Sequence, residues 1–444
     1  MWIEIFIFII LCWIIYYNYV RKPADYPPGP WGLPLIGCLP IKTATLEDKL
    51  EDLRRKHGPI FSMRIGSRVV IFFCEFNIIK EALQNPVFAF RPDFRVFMSL
   101  IEGGDKYIGV LGTNGKHWHT IRRFILRHLR DLGMGKSRIA SAMHYEAMEL
   151  VQLFKKQAGI AAPIPKAGLP AFLNVLWQMV ASVRYELDDQ ELIDFQNKLL
   201  DFEKLGVGMM VVDICPWIKS VVPKRLLSYL INEKQISCLS DWLKAKFGKY
   251  IEEHQESLDP NNPRDFIDDY LIEMEKQKDN PDSEMSIDDL IGCVGDLFTA
   301  GLETTSVFVR WMILFLASFS EVQKKLQEEV DEVLPNGTPF TWQDKSRLPY
   351  FEAFISETFR YGNMSPFSGF HSVPEDTLFE GKRQCIGESL ARMELFVFIT
   401  TLVQHLEFSP PENGKIDLTP EEFPIFNFPR AKEELVITIR NVKE

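Results

Sequence analysis

The chain is poor in the residues that build common metal and redox scaffolds, with seven cysteines and eight histidines in 444 residues. Cys12, Cys38, Cys74, Cys215, Cys238, Cys293 and Cys385 are odd in number, scattered and never spaced Cys-x-x-Cys. That excludes a disulfide framework and structural zinc and points to a reducing compartment. Basic charge is not in excess either: 50 Lys and Arg stand against 61 Asp and Glu, for a net charge of −11. That balance argues against a nucleic-acid role. There is no internal repeat and no low-complexity tract. Gly112-Thr113-Asn114-Gly115-Lys116 lacks the first glycine and the final Ser/Thr of a phosphate-binding loop. Gly206-Val207-Gly208 lacks the third glycine of a dinucleotide fingerprint, so the chain offers no site for NADPH. His117 and His119 are not helical i,i+4 neighbours and have no evident third ligand.

Long hydrophobic runs are scarce, and the one at the N-terminus stands out. Residues Ile5 to Val20 are almost wholly apolar, Tyr16, Tyr17 and Tyr19 lie near one end, and Arg21 and Lys22 follow. Interfacial aromatics and basic residues just beyond them predict a membrane anchor with its C-terminal side cytoplasmic, although the run is short for a span. A cleaved signal peptide fits less well, because Glu4 makes the leading segment acidic and no small-residue cleavage site follows. Pro27-Pro28-Gly29-Pro30-Trp31-Gly32 then reads as a stiff linker that cannot be helix.

Beyond the linker the composition, 46% hydrophobic and 25% charged, is that of a globular protein with a sizeable core. Ile60 to Phe73 is β-branched and aromatic, with Gly66-Ser67 as its hairpin turn. Ser286 followed by Asp288 and Asp289 starts a long apolar helix ending near Ser318. Ser320-Glu321-Val322-Gln323 reads as a capping box opening a further helix. The fold class predicted is mainly α with a small β-sheet.

The residues with chemistry lie late in the chain. Cys385 sits between Gly381 and Gly387, beside Lys382 and Arg383, at the start of a helical pattern. A thiolate there is stabilised by backbone amides and the helix dipole and is placed to ligate a metal. A structural cysteine before an amphipathic helix is the alternative. Gly381 and Gly387 permit close approach, and Arg383 supplies charge for an anionic group. Upstream, Ala300-Gly301-Leu302-Glu303-Thr304-Thr305 puts polar residues inside an apolar helix, where a threonine hydroxyl can bond back to the i−4 carbonyl. Glu357 and Arg360 face each other at i,i+3, and Trp118 precedes Arg122 by one helical turn.

In this order the motifs resemble those of the cytochrome P-450 family, the haem-thiolate monooxygenases, in its animal microsomal, drug-metabolising branch. The family's Phe-x-x-Gly-x-Arg-x-Cys-x-Gly loop is matched at Gly381, Arg383, Cys385 and Gly387, while Leu378 replaces the phenylalanine. The resemblance implies haem b with Cys385 as axial ligand. It implies that Trp118 and Arg122 contact a haem propionate, and that Ala300 and Gly301 leave room for oxygen and substrate. Thr304 would hydrogen-bond dioxygen at the iron, and Glu303 would relay protons for O–O cleavage. Glu357 and Arg360 would be a buried structural pair. It further implies O2 and a lipophilic substrate (xenobiotic, fatty acid or steroid), and electrons from an NADPH-dependent cytochrome reductase. A basic patch of Lys116, Arg122, Arg123, Arg127, Arg130 and Lys382 would dock that partner. Phe88, Phe90, Phe94, Phe97, Phe298, Phe367, Phe370, Phe426 and Phe428 are candidates for an aromatic-lined cavity. The organisation expected is an anchor (1–22), a proline-rich hinge (23–37) and a catalytic haem domain (38–444), held to the endoplasmic reticulum membrane by a single pass and facing the cytoplasm.

One region departs from the pattern. Arg360 and Cys385 are 25 positions apart, far less than the resemblance requires, and two motif ends meet near residues 380–381. The fold is thus expected to be truncated in its sheet and meander region. The missing stretch would take with it strands that pair with the Ile60–Phe73 hairpin, leaving an open edge. It would also take an arginine that completes the Glu357–Arg360 network, a loss of about 3–5 kcal/mol if that network is buried. Without the phenylalanine the cysteine sulfur is less shielded, which bears on the iron potential. Two readings follow: a monooxygenase, or a haem-free variant acting as a membrane-tethered binding protein.

Overall fold

Ser286 accepts the amide of Asp289 and starts a helix that runs Ile287–Ser318, as a capping serine followed by two acidic first-turn residues dictates. In the computed structural model, residues 5–6, 21–39, 46–94, 107–132, 137–165, 168–367, 369–373, 381–382, 385–421 and 427–440 are described. The chain divides into two compact units. The larger comprises 104–200, 241–368 and 385–444; the smaller comprises 1–103, 201–240 and 369–384.

The larger unit is helical and built around Ile287–Ser318, which packs against helices Leu169–Val180, Pro349–Gly362 and Glu388–His405. Both the long helix and Glu388–His405 are apolar on nearly every face, the composition of a helix surrounded by protein. Phe298 is fully buried and meets Trp177, Phe195 and Phe247 edge-on or tilted, at centroid distances of 4.8, 5.2 and 5.3 Å. Emptying that position would cost about 3–5 kcal/mol. It belongs to the aromatic core of this unit. A three-stranded antiparallel sheet completes this unit, with Glu434–Ile439 between Ala162–Pro163 and Leu406–Ser409.

The predicted capping box at Ser320 does not form. Helix Ser320–Val333 begins with Ser320 already in its first turn and has no side-chain cap. Gln323 instead turns to the sheet, donating to the carbonyl of Phe408 at 2.8 Å and accepting its amide at 2.9 Å. The backbone pairing of a strand thus outbids a local cap.

In the smaller unit the hairpin forms as predicted, Ile60–Ile65 against Arg68–Phe73 with Ile65 opposite Arg68. Gly66 takes φ 61°, and a Cβ there would stand 2.5 Å from Cys215 Sγ. The proline segment packs on this hairpin. Pro28 O and Pro30 O accept the amides of Ser62 and Arg64, Pro27 O accepts the Ser62 hydroxyl, and Arg64 lies over Trp31. Prolines can accept but not donate, so they suit the edge of this strand. Among the described residues the hairpin stays two-stranded, joined by one bridge between Gly37 and Ile65. Gly381–Lys382 pairs with Gln84–Pro86, and Ser372 bridges to Phe90. Phe94 and Phe370 pack together against Ile214 and Cys215 in the core of this unit.

Most of the run Ile5–Val20 lies outside the described residues, as do Phe97, Arg383 and Phe426. Among the described residues one helix, Ile287–Ser318, is long and apolar enough to cross a membrane, and it is the core helix of the larger unit.

Candidate active site

Cys385, Gly387, Trp118, Arg122, Ala300, Glu303 and Thr304 all fall in the larger unit. Cys385 is exposed and immediately precedes helix Glu388–His405, whose N-cap is Gly387. At φ −89° Gly387 needs no glycine for its backbone, but a Cβ built there would meet nothing within 4 Å. Trp118 and Arg122 come from helix Gly115–Leu132. Trp118 is 5% exposed, and the Arg122 guanidinium lies 5.4 Å from its ring centroid, a cation–π stack that fixes the fork. Burial lowers the Arg122 pKa, and its electrostatic interaction with Cys385 works in the opposite direction. A cation therefore sits within electrostatic reach of the sulfur.

The long helix opens toward solvent within this motif. Ala300 and Thr304 are exposed one turn apart, whereas Leu297, Phe298, Leu302 and Val307 around them are buried. Thr304 Oγ1 donates to Ala300 O at 2.8 Å, the i−4 back-bond expected from sequence. Glu303 is buried, and one of its carboxylate oxygens, Oε2, meets no hydrogen-bond partner. Burial raises its pKa to about 7, and Arg310 on the same flank offsets part of that rise.

A bulky anionic ring system with two carboxylates and a thiolate-seeking metal fits these residues. They supply an accessible sulfur, space beside Gly387, a stacked guanidinium and a small-residue opening in the long helix. The donor set agrees with haem b.

The Glu357–Arg360 pair departs from the expectation. Arg360 donates to both Glu357 oxygens, at 2.7 and 2.5 Å, but the two side chains are 70% and 58% exposed. It is a surface ion pair, so the cost expected for a broken buried network does not apply. The basic patch is present in part. Arg123, Arg127 and Arg130 are exposed on helix Gly115–Leu132 and Lys116 pairs with Asp282 at 3.9 Å, while the Lys382 side chain is outside the described residues.

A polar hub near the start of the same long helix was hardly legible from sequence. Asp289 Oδ1 accepts His117 Nε2 and the Gly109 amide, both at 2.8 Å; its Oδ2 accepts the Tyr270 hydroxyl at 2.8 Å. His117 Nδ1 meets Glu284 at 3.2 Å. Burial alone lowers the pKa of His117, but Asp289 and Glu284 outweigh it and the net shift is upward. Asp296, about two turns on, accepts the amides of Val110 and Leu111. The Ser286-x-x-Asp289 spacing was the one legible trace of this hub. Glu394 was also missed: it is buried in helix Glu388–His405 and bonded to Thr305, and burial raises its pKa to about 8.

Two other features are unrelated to the site. His254, Asp265 and Asp268 could hold a metal by proximity, but both nitrogens of His254 and both oxygens of Asp268 are already engaged by protein groups. A cavity of about 350 Å³ is lined by Trp311, Tyr361, Leu418, Thr419 and Pro420, none of them a site residue.

Comparison with known proteins agrees with the geometry. The family model described as Cytochrome P450 matches residues 27–382 and again 380–436, two stretches that meet where the motif spacing contracts. Cytochrome P450 2L1 of Panulirus argus is 36% identical, over 94% of this chain and 95% of the relative. Cytochrome P450 2C28 of Mesocricetus auratus is 32% identical over 89% and 90%, and cytochrome P450 2C8 of Homo sapiens 31% over 93% and 95%. The first of these alignments runs over 476 positions, more than the 444 residues present.

Proposed function

The chain belongs to the cytochrome P450 family, whose members are haem-thiolate monooxygenases, and from that premise we propose that it oxidises a lipophilic small molecule with Cys385 as its axial ligand. The observation that carries the site assignment is the exposed pair Ala300 and Thr304 midway along a largely buried helix, in the same unit as the Arg122–Cys385 juxtaposition. Bound haem supplies the redox chemistry and activates dioxygen, with thiolate ligation favouring O–O cleavage. The protein's own residues bind, orient and manage protons around it.

Arg122 and Trp118 would hold the haem's carboxylate side, the guanidinium offering a forked donor that stacking on Trp118 has already oriented. Ala300 leaves room on the facing side. Thr304 spends its hydroxyl proton on Ala300 O, so its oxygen lone pairs remain to accept from a neighbouring donor. Glu303, with a pKa near 7, holds or releases a proton at its carboxyl close to neutral pH, as a proton relay needs.

Electrons would come from an NADPH-dependent reductase. The incomplete dinucleotide fingerprint and the exposed Arg123, Arg127 and Arg130 support that reading. The apolar run Ile5–Val20 with Arg21 and Lys22 supports a single-pass anchor in the endoplasmic reticulum membrane. The two family-model stretches meeting at 380–382 support a catalytic domain, 38–444, that lacks a segment there.

The test is a carbon-monoxide difference spectrum of the reduced, purified chain. A red-shifted Soret maximum diagnostic of thiolate ligation, lost in Cys385→Ser, is expected. A chain that takes up no haem, or a Cys385→Ser spectrum identical to wild type, would overturn the assignment.

A further inference from the structure

The long helix carries a second polar feature beside the Ala300–Thr304 opening. Thr299, Glu303, Ser306 and Arg310 follow one another at spacings of four, three and four residues and so share a flank of the helix. Ser306 is satisfied by donating to Glu303 O at 2.7 Å, and Arg310 donates to Pro429 O at 3.1 Å. The other two are not: Thr299 Oγ1 and Glu303 Oε2 are both inaccessible to solvent and neither meets a hydrogen-bond partner. Two such oxygens on adjacent turns are conspicuous, because each buried polar atom left without a partner costs about 1–3 kcal/mol.

Side chains at i and i+4 stand roughly 5–6 Å apart at Cβ, near enough for one water molecule to reach the polar oxygens of both. A buried water needs two to four polar partners, and this pair supplies an alcohol and a carboxyl. The pairing is chemically complementary. A protonated carboxyl donates to the water, and the water donates to the threonine oxygen. No acceptor is left facing another acceptor. Arg310, two turns from Glu303, and Glu421 beyond it are the charged groups felt along this flank.

We infer that Thr299 is a positioning residue for Glu303: one water bridging Thr299 Oγ1 and Glu303 Oε2 fixes the carboxyl beside Thr304 and holds the proton that it relays. This rests on the monooxygenase reading above, in which Glu303 serves the oxygen side of the site. The geometry of the pair, however, is independent of haem. Thr299 touches no reacting atom; it acts through Glu303.

Infrared spectroscopy of the full chain tests it. The protonated-carboxyl band lost in Glu303→Gln identifies Glu303. Thr299→Val, nearly isosteric, is expected to move that band to higher frequency, and Thr299→Ser to leave it in place. In wild-type protein a water O–H band that shifts in ¹⁸O water should disappear in Thr299→Val. A Glu303 band unmoved in Thr299→Val, or no band lost in Glu303→Gln, would overturn the inference. In chain that gives the thiolate carbon-monoxide spectrum, Thr299→Val should raise hydrogen peroxide released per electron about three- to tenfold, the worth of one hydrogen bond, with rescue by Thr299→Ser. A chain without that spectrum would sink the monooxygenase reading while the infrared result still decided the pair.

Discussion

The carboxyl of Glu394 hydrogen-bonds Thr305, so the helix that follows Cys385 is tied to the residue directly after Thr304. Glu394 is 3% exposed and Thr305 5%. The carboxyl sits in an apolar interface and favours its neutral form, because burial penalises the charge more than one hydroxyl can repay.

Stability should therefore depend on pH through Glu394. Its ordinary value is 4.5 and its folded value about 8, so unfolding between those limits releases a proton. The folded state binds more protons than the unfolded one, and stability falls as pH rises across that window, by up to ~1.4 kcal/mol per pH unit. Glu394→Gln keeps a hydrogen-bonding amide and removes the titration. The difference between denaturant midpoints measured at the two ends of the window should be smaller in the variant than in the wild type.

His117 gives a second, separate pH dependence. It is held as an imidazolium between Asp289 and Glu284, with its pKa above 6.5. Its contribution is complete below about pH 6.5 and is lost as pH rises through the folded value. His117→Phe removes one partner of a largely buried pair and should cost about 3 kcal/mol at pH 6. The deficit should shrink at higher pH, and a thermal-unfolding series would reveal a constant deficit if the pairing were not ionic.

Removing the Glu357–Arg360 pair should do very little in this chain. The two side chains are exposed and pair only with each other among the described residues, and such pairs are screened by solvent. Glu357→Ala is expected to leave the denaturant midpoint unchanged within error. A large drop would mean that the pair has a buried partner and that the fold here is not the one described.

Arg122 and its neighbour Arg123 should separate haem retention from electron supply. Arg122 is half-buried and stacked on Trp118, whereas Arg123 is exposed. Arg122→Ala should weaken haem binding about tenfold or more, since a charge-assisted contact is worth ~1.5–3 kcal/mol. Arg123→Glu should leave haem content alone and slow reductase-supported reduction. Haem content by absorbance and reduction by stopped flow give the two readings.

Much of this was legible in the chain. The Gly66-Ser67 hairpin, the Ser286 start of the long helix and the back-bonded Thr304 follow from local rules: turn residues, a capping serine, and a hydroxyl within reach of its own i−4 carbonyl. The order of Trp118, Glu303, Thr304 and Cys385 marked the family, and the shortened interval before Cys385 marked where the family match is split. Tertiary structure decided what depends on partners distant in sequence. Gln323 left its expected cap for Phe408, 85 positions away. The proline segment became the edge partner of a strand, Phe298 became core, and Glu357–Arg360 stayed at the surface. The pKa values of Glu303 and Glu394 likewise arise from burial. Burial is set by which helices meet, and no spacing along a single chain encodes that on its own.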